Sequence, residues 1–210
     1  MDFGLYIIIS NPVLAYSKIA EICVRQKIKY LQLREKDLDD RKLLAIAREI
    51  KSITKDSETK FIINDRADIC LLSEADGLHL GQDDISFQDA VDLLPKGKII
   101  GISTHNIDQA LNALKFNPDY IGFGPIFKTP TKKKPDPEVG CDQLKQIITI
   151  SHNLNKSQDI PIVAIGGIDE NNICEIISTG AKNICMVRAF MSNNDFEKKI
   201  IKIKKYLERS

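Results

Sequence analysis

Residues 77–123 read GLHLGQDDISFQDAVDLLPKGKIIGISTHNIDQALNALKFNPDYIGF. Three short apolar runs stand in this stretch: Gly77–Leu80, Lys98–Ile102 and Tyr120–Phe123. Between them the apolar residues change to helical spacing. Phe87, Ala90, Val91 and Leu94 fall at i, i+3, i+4 and i+7, and Ile107, Ala110, Leu111 and Leu114 repeat the pattern. Strand, amphipathic helix, strand, amphipathic helix, strand is the pattern of parallel strands joined by crossover helices.

The same unit extends in both directions. Leu5–Ile9, Lys29–Leu33 and Lys60–Ile63 precede the stretch, and Pro161–Ile165 and Asn183–Val187 follow it. Leu43, Ile46, Ala47 and Ile50 carry the helical spacing earlier in the chain, and Phe196, Ile200, Ile203 and Leu207 carry it into the last helix. The helix after Ile63 has room only to be brief. Eight strands alternating with about eight helices predict the α/β class and a (β/α)8 TIM barrel, one domain spanning residues 1–210. An open doubly wound sheet is the alternative, because periodicity does not show closure. At 210 residues the chain is shorter than the usual barrel of about 250, which leaves little room for a further domain. The connection Gly124–Val139 holds four prolines and is long enough to be functional or mobile, with its role as a lid left open.

A net charge of +1, with 28% charged residues mixed along the chain, gives no reason to expect nucleic acid or an anionic membrane as partner. No window approaches the roughly 18 apolar residues of a membrane span and no leader is evident, so a cytoplasmic protein is expected. Lys132, Lys133 and Lys134 form the compact basic run. Cys23, Cys70, Cys141, Cys174 and Cys185 are scattered without a C-x-x-C pair, which predicts reduced, mostly buried thiols. Homo-oligomerisation is left open.

In a (β/α)8 barrel, catalytic residues project from the C-terminal ends of the strands. Those ends here are rich in charge and glycine. Asp65 and Asp84 lie beyond neighbouring strands, where two hard carboxylates beside basic residues suit Mg2+. Arg34, Lys36 and Lys132 would supply positive charge for a diphosphate. The competing reading is that each aspartate caps the helix after it. Gly166-Gly167, ahead of a helix expected at Asp169, suits a phosphate between the loops after strands seven and eight, although a simple tight turn explains the pair too. His105 is either an acid or base or, the favoured reading, a polar residue at a helix start. His79 and His152 read as structural. Lys198-Lys199, Lys202 and Lys204-Lys205 read as the solvated face of the last helix.

On these residues the chain resembles the thiamine phosphate synthase family over essentially its whole length. The matching segments are Gln32-Leu33-Arg34-Glu35-Lys36, Asn64-Asp65, Gly81-Gln82-Asp83-Asp84, Gly101-Ile102-Ser103-Thr104-His105, Gly122-Phe123-Gly124-Pro125, Thr129-Pro130-Thr131-Lys132 and Ala164-Ile165-Gly166-Gly167-Ile168. The resemblance implies an enzyme that joins hydroxymethylpyrimidine diphosphate to a thiazole phosphate, with or without its carboxylate, giving thiamine phosphate and pyrophosphate with Mg2+ as cofactor. It implies that Gln32, Arg34, Lys36, Asn64, Ser103 and Lys132 contact the pyrimidine diphosphate, with Lys36, Ser103 and Lys132 closest to the chemistry. Asp65 and Asp84 are implied as metal ligands. Thr129, Pro130, Thr131, Gly167, Val187 and Arg188 would hold the thiazole phosphate. The family mechanism ionises the pyrimidine first, and the thiazole nitrogen captures the cation, which fits a site without a protein nucleophile.

Two points depart from the family. Many members carry Ser at the position of Arg188, and the short N-terminus leaves open what covers the bottom of the barrel. A thiazole tautomerase on the same barrel, which uses a histidine on the fifth-strand loop, is the nearest rival. The Asp65 and Asp84 pair, with Lys36 and Thr129–Lys132, favours the synthase. A catalytically silent barrel that binds thiamine precursors, or another phosphate-handling barrel by fold analogy, are the remaining alternatives.

Overall fold

The computed structural model describes residues 3–129, 136–154, 160–192 and 195–208. Eight strands form one closed parallel barrel in sequential order: β1 (Leu5–Ile9), β2 (Tyr30–Leu33), β3 (Lys60–Asn64), β4 (Gly77–Leu80), β5 (Ile99–Thr104), β6 (Tyr120–Phe123), β7 (Ile162–Ile165) and β8 (Asn183–Met186). The helices are α1 (Tyr16–Arg25), α2 (Asp40–Thr54), α3 (Ala67–Leu72), α4 (Phe87–Leu93), α5 (Ile107–Leu114), α6 (Gly140–Leu154), α7 (Ile173–Ser178), α8 (Arg188–Met191) and α9 (Phe196–Leu207). The barrel expectation holds, with strand ends shifted by one or two residues. The crossovers α3, α4 and α7, of six, seven and six residues, let eight units fit into so short a chain.

Side-chain caps start three of the helices. Asp39, Ser86 and Asn106 accept hydrogen bonds from the backbone N–H three residues on, at the heads of α2, α4 and α5. The strands are apolar on both faces because both faces are buried, as parallel sheets under crossover helices require. One set, including Leu5, Ile7, Ile9, Leu31, Phe61 and Ile63, packs in the large core with the helices. The alternate set, Tyr6, Ile8, Tyr120, Val163 and Cys185, packs together with Phe3 inside the barrel.

Aromatic rings fill the lower half of the barrel interior. Phe3, Tyr6, Tyr30 and Tyr120 stand with ring centroids 4.3 to 6.1 Å apart. Gly101 makes room for this cluster. A Cβ there would sit 2.1 Å from Cζ of Tyr120, its register partner on β6. The bottom of the barrel is covered by Phe3, just ahead of β1 and 9% exposed. The backbone N–H groups of Phe3 and Gly4 donate to Oδ1 of buried Asn183 at 2.8 and 3.2 Å, and Ile184 N donates to Gly4 O at 2.9 Å. This seam joins the first strand to the last.

Asn183→Ala removes the acceptor for two N–H groups at the seam, one of them buried. It should destabilise the fold by about 2 kcal/mol, read as a lower urea midpoint at unchanged slope. An unchanged midpoint would show that solvent satisfies those N–H groups instead.

Candidate active site

The C-terminal strand ends carry the charged residues that the sequence placed there. Lys36, beyond β2, forms an ion pair with Asp65, beyond β3. Asp65 adopts a left-handed conformation with φ of 61°, and its N–H donates to His79 O on β4 at 2.8 Å. Oδ2 of Asp84, beyond β4, accepts from Gly81 N at 2.6 Å. Partial burial holds the Asp84 carboxyl above its ordinary value and the adjacent Asp65 carboxylate adds to this, while Gly81 N–H and Lys36 act in the opposite sense. Asp84 therefore carries its charge at a cost, partly buried beside a second carboxylate. The capping alternative fails for both. Arg66 occupies the cap position of α3 without a side-chain bond, and Ser86 caps α4.

Arg34 reaches the mouth from β2, and its own N–H pairs with Ile9 O at 2.9 Å. Glu35 beside it turns inward. Its Oε1 accepts from Asn11 N at 2.8 Å and Tyr16 Oη at 2.9 Å, so it ties the loop after β1 to the segment bearing Arg34 and Lys36. Asn64 ends β3, in register with His79. Gln32 is fully buried, with Nε2 donating to Tyr6 Oη at 2.9 Å and Oε1 without a partner.

Two cavities open at this end. One, of about 90 Å3, is bordered by Arg34, Ser103, His105, Asp136, Thr129 and Val187. The other, of about 400 Å3, is bordered by Gly166, Gly167, Asn171, Arg188, Ser192 and Lys199, and again by Thr129 and Val187. The two shared residues make the cavities neighbours. Gly167, with φ of 69°, lies so close to the loop after β6 that a Cβ would be 2.6 Å from Phe127 O. It therefore serves as a tight turn while it also lines the larger cavity.

Two sequence expectations are corrected here. The helix after Gly166-Gly167 begins at Ile173, not Asp169. Asp169 Oδ1 accepts from Asn171 N, and Asn172 Oδ1 accepts from Asp169 N, both at 2.8 Å, so Asp169 serves a turn ahead of the helix. Lys199 and Lys204 are not simply a solvated face. Lys199 Nζ donates to Ala189 O at 2.7 Å at the edge of the larger cavity, and Lys204 Nζ donates to Gln26 O at 3.0 Å. His79, read as structural, is buried and hydrogen-bonded through Nε2 to Ser103 Oγ at 2.7 Å.

His105 is half-buried at the mouth. Its Nδ1 lies 2.6 Å from Gly124 O and its Nε2 lies 3.6 Å from Asp136 Oδ2. Pro130, Thr131 and Lys132 lie outside the described residues. Three cysteines, Cys23, Cys70 and Cys185, are buried, Cys141 is partly so and Cys174 is exposed. Among the described residues no group of three or more His, Cys, Asp or Glu is placed to hold a metal, and no helix is long and apolar enough to cross a membrane.

Comparison with known proteins matches residues 5–190 to the family model for thiamine monophosphate synthase. The chain is 37% identical over 196 residues to a thiamine-phosphate synthase of Caldicellulosiruptor bescii, covering 92% of this chain and 86% of that one. It is 38% identical over 198 residues to the corresponding protein of Methanospirillum hungatei, covering 93% of each. The solved thiamine phosphate pyrophosphorylase of Pyrococcus furiosus superposes with a TM-score of 0.83 at 29% identity, over 99% of this chain and 96% of that one.

Glu35 gives a pH test of the mouth. Burial raises its carboxyl above the ordinary value, against the opposing pull of Asn11 N–H and Tyr16. The folded chain therefore holds that proton more tightly than the unfolded chain. The associated stability is complete below the ordinary carboxylate value and is lost as pH rises through the raised one. Glu35→Gln removes the titration. The unfolding free energy of the unsubstituted protein minus that of the variant should fall with rising pH over this window and then level off. A difference independent of pH in urea titrations would refute the assignment.

Proposed function

The chain belongs to the thiamine monophosphate synthase family, and from that premise we infer that it condenses a pyrimidine with a thiazole to make thiamine phosphate. The substrates are hydroxymethylpyrimidine diphosphate and a thiazole phosphate, and the second product is pyrophosphate. The observation that carries this reading is the pair of adjoining cavities, one beside Arg34 and Ser103 and the other beside Arg188 and Lys199, with Thr129 and Val187 as their common wall. Two anionic substrates brought together across a shared wall is what a bimolecular coupling needs.

Arg34 and Lys36 bind the diphosphate of the pyrimidine, with Lys132 assigned to the same task from its motif alone. Gln32, Asn64 and Ser103 orient the ring. The C–O bond to the diphosphate breaks with its electron pair leaving on oxygen, and the thiazole nitrogen forms the new C–N bond with its lone pair. No protein nucleophile takes part. The cationic side chains lower the barrier by stabilising charge that grows on the departing diphosphate. Arg188 and Lys199 face the thiazole phosphate, with Thr129, Gly167 and Val187 around it, and Pro130 and Thr131 are assigned to it from their motif alone.

Mg2+ fits the donor set at Asp65 and Asp84. Two oxygen ligands from the protein leave positions for water and for substrate phosphate, as this cation prefers. When bound, the ion supplies neutralising charge to the diphosphate. A thiazole tautomerase is the second reading, favoured by the place of His105 at the mouth beside Asp136. It gives no use to the carboxylate pair.

Incubation of the protein with both substrates and Mg2+ should yield thiamine phosphate and pyrophosphate. Thiazole isomerisation without coupling would overturn the synthase reading. Asp65→Ala and Asp84→Ala should each lower coupling by on the order of 10²-fold, and full activity in both would remove the metal assignment. Arg188→Ala should raise KM for the thiazole phosphate and leave KM for the pyrimidine diphosphate unchanged. A thiazole phosphate KM unchanged by the substitution would place Arg188 outside the site.

A further inference from the structure

Five polar side chains interrupt the apolar interior of the barrel, and they are hydrogen-bonded in a line. Gln32 Nε2 donates to Tyr6 Oη at 2.9 Å, and Tyr6 Oη lies 2.7 Å from Tyr120 Oη. Tyr120 Oη lies 2.9 Å from His79 Nδ1, and His79 Nε2 lies 2.7 Å from Ser103 Oγ. Tyr6 and Tyr120 are fully buried and His79 is 8% exposed. The His79 and Tyr120 rings stack 5.5 Å apart.

The direction of the line follows from its first bond. Tyr6 Oη accepts from the Gln32 amide, and the Tyr6 hydrogen, fully buried, is satisfied by donation to Tyr120 Oη, whereas acceptance from both neighbours would leave it unpaired. Tyr120 in turn gives its hydrogen to His79 Nδ1. A neutral imidazole that accepts at Nδ1 carries its proton on Nε2, and that N–H donates to Ser103 Oγ. The hydrogen of Ser103 is then left to point away from His79. Ser103 borders the mouth cavity, whereas the unpartnered Gln32 Oε1 stands at the opposite end of the line as an acceptor. Burial pushes both phenols well above their ordinary value, so each keeps the hydrogen that the line requires.

We propose that Tyr6, Tyr120 and His79 are positioning residues, a one-way relay that commits the Ser103 hydroxyl to act as a hydrogen-bond donor toward the pyrimidine. The kinetic part of this proposal rests on the reading of Ser103 as a pyrimidine contact. The relay itself does not. A free serine hydroxyl can donate or accept by rotation, and it meets a ring acceptor in only part of its rotamers. Ser103 is relieved of that choice by a bond made 24 residues away in sequence. The space for the relay is built into the backbone, since Gly101 accommodates the Tyr120 ring and a Cβ on Gly122 would lie 3.5 Å from His79 Cε1.

The test has two arms. In ligand-free protein labelled with 15N-histidine, three histidines give resolvable signals, and His79 is assigned by the signal lost in His79→Gln. The relay predicts a neutral His79 ring protonated on Nε2 at neutral pH. Protonation on Nδ1, or on both nitrogens, overturns it whether or not the protein couples its substrates. In the kinetic arm, Tyr120→Phe keeps the ring over Gly101 and removes only the hydroxyl. It should lower kcat/KM for the pyrimidine diphosphate about tenfold, leave KM for the thiazole phosphate unchanged, and add no further loss to Ser103→Ala. Additive losses would show that Tyr120 does not act through Ser103. If Tyr120→Phe does not fold, Tyr6→Phe removes the preceding link, with the same pattern expected and the same result overturning it.

Discussion

The pairing of β1 with β8 turns a sheet into a barrel, and most of what is distinctive about this molecule depends on that closure. Leu5, Tyr6 and Ile7 pair with Ile184, Cys185 and Met186, and Asn183 anchors the backbone just ahead of β1. Closure leaves no free strand edge and confines every second side chain of eight strands to one narrow interior. It also sends all eight strand ends to one rim. Asp65, Asp84, Arg34 and Ser103 come from four different crossover units and meet only because the sheet is circular.

The interior divides along the barrel axis. Toward the N-terminal ends it is dry and aromatic, capped by Phe3. Toward the other end it becomes polar through Gln32, His79 and Ser103. Tyr6 and Tyr120 join the two regions, since each presents an aromatic body to the plug and a hydroxyl to the polar line. Such a buried line is tolerable only when its members satisfy one another, because an unpaired polar group at this depth is expensive. Among the described residues, Gln32 Oε1 and Thr59 Oγ1 are the side-chain atoms left buried without a partner. The first of these belongs to a residue that the family resemblance places on the substrate.

The strands were legible because burial on both faces makes them continuous apolar runs, and the rim was legible because polar residues follow those runs at once. What was not legible has physical causes. The helix after Gly166-Gly167 was expected as early as Asp169 because the same polar residues serve helix starts and turns, and only the path of the following residues separates the two. His79 looked structural because an alternating pattern does not say which face is the barrel interior. A signal was nevertheless present, since Tyr6, Gln32, His79, Ser103 and Tyr120 each place a polar group inside an otherwise apolar strand. Lys199 looked solvated because a lysine on an amphipathic helix looks the same in sequence whether it points at water or at a carbonyl of the helix before it. Glu35 was quoted within its motif, but its bond to the loop after β1 joins residues distant along the chain.

Asp65 holds its carboxylate at the rim from a backbone conformation that L-residues other than Asn and Asp seldom adopt. Glycine would sit there with less strain, and it would also remove one of two carboxylates that repel each other. On the proposed reading of Asp65 as a cation ligand, thermostability and catalysis therefore pull in opposite directions at this position. A library of this chain selected for resistance to heat alone would drift toward a sturdier barrel with one carboxylate fewer at its rim.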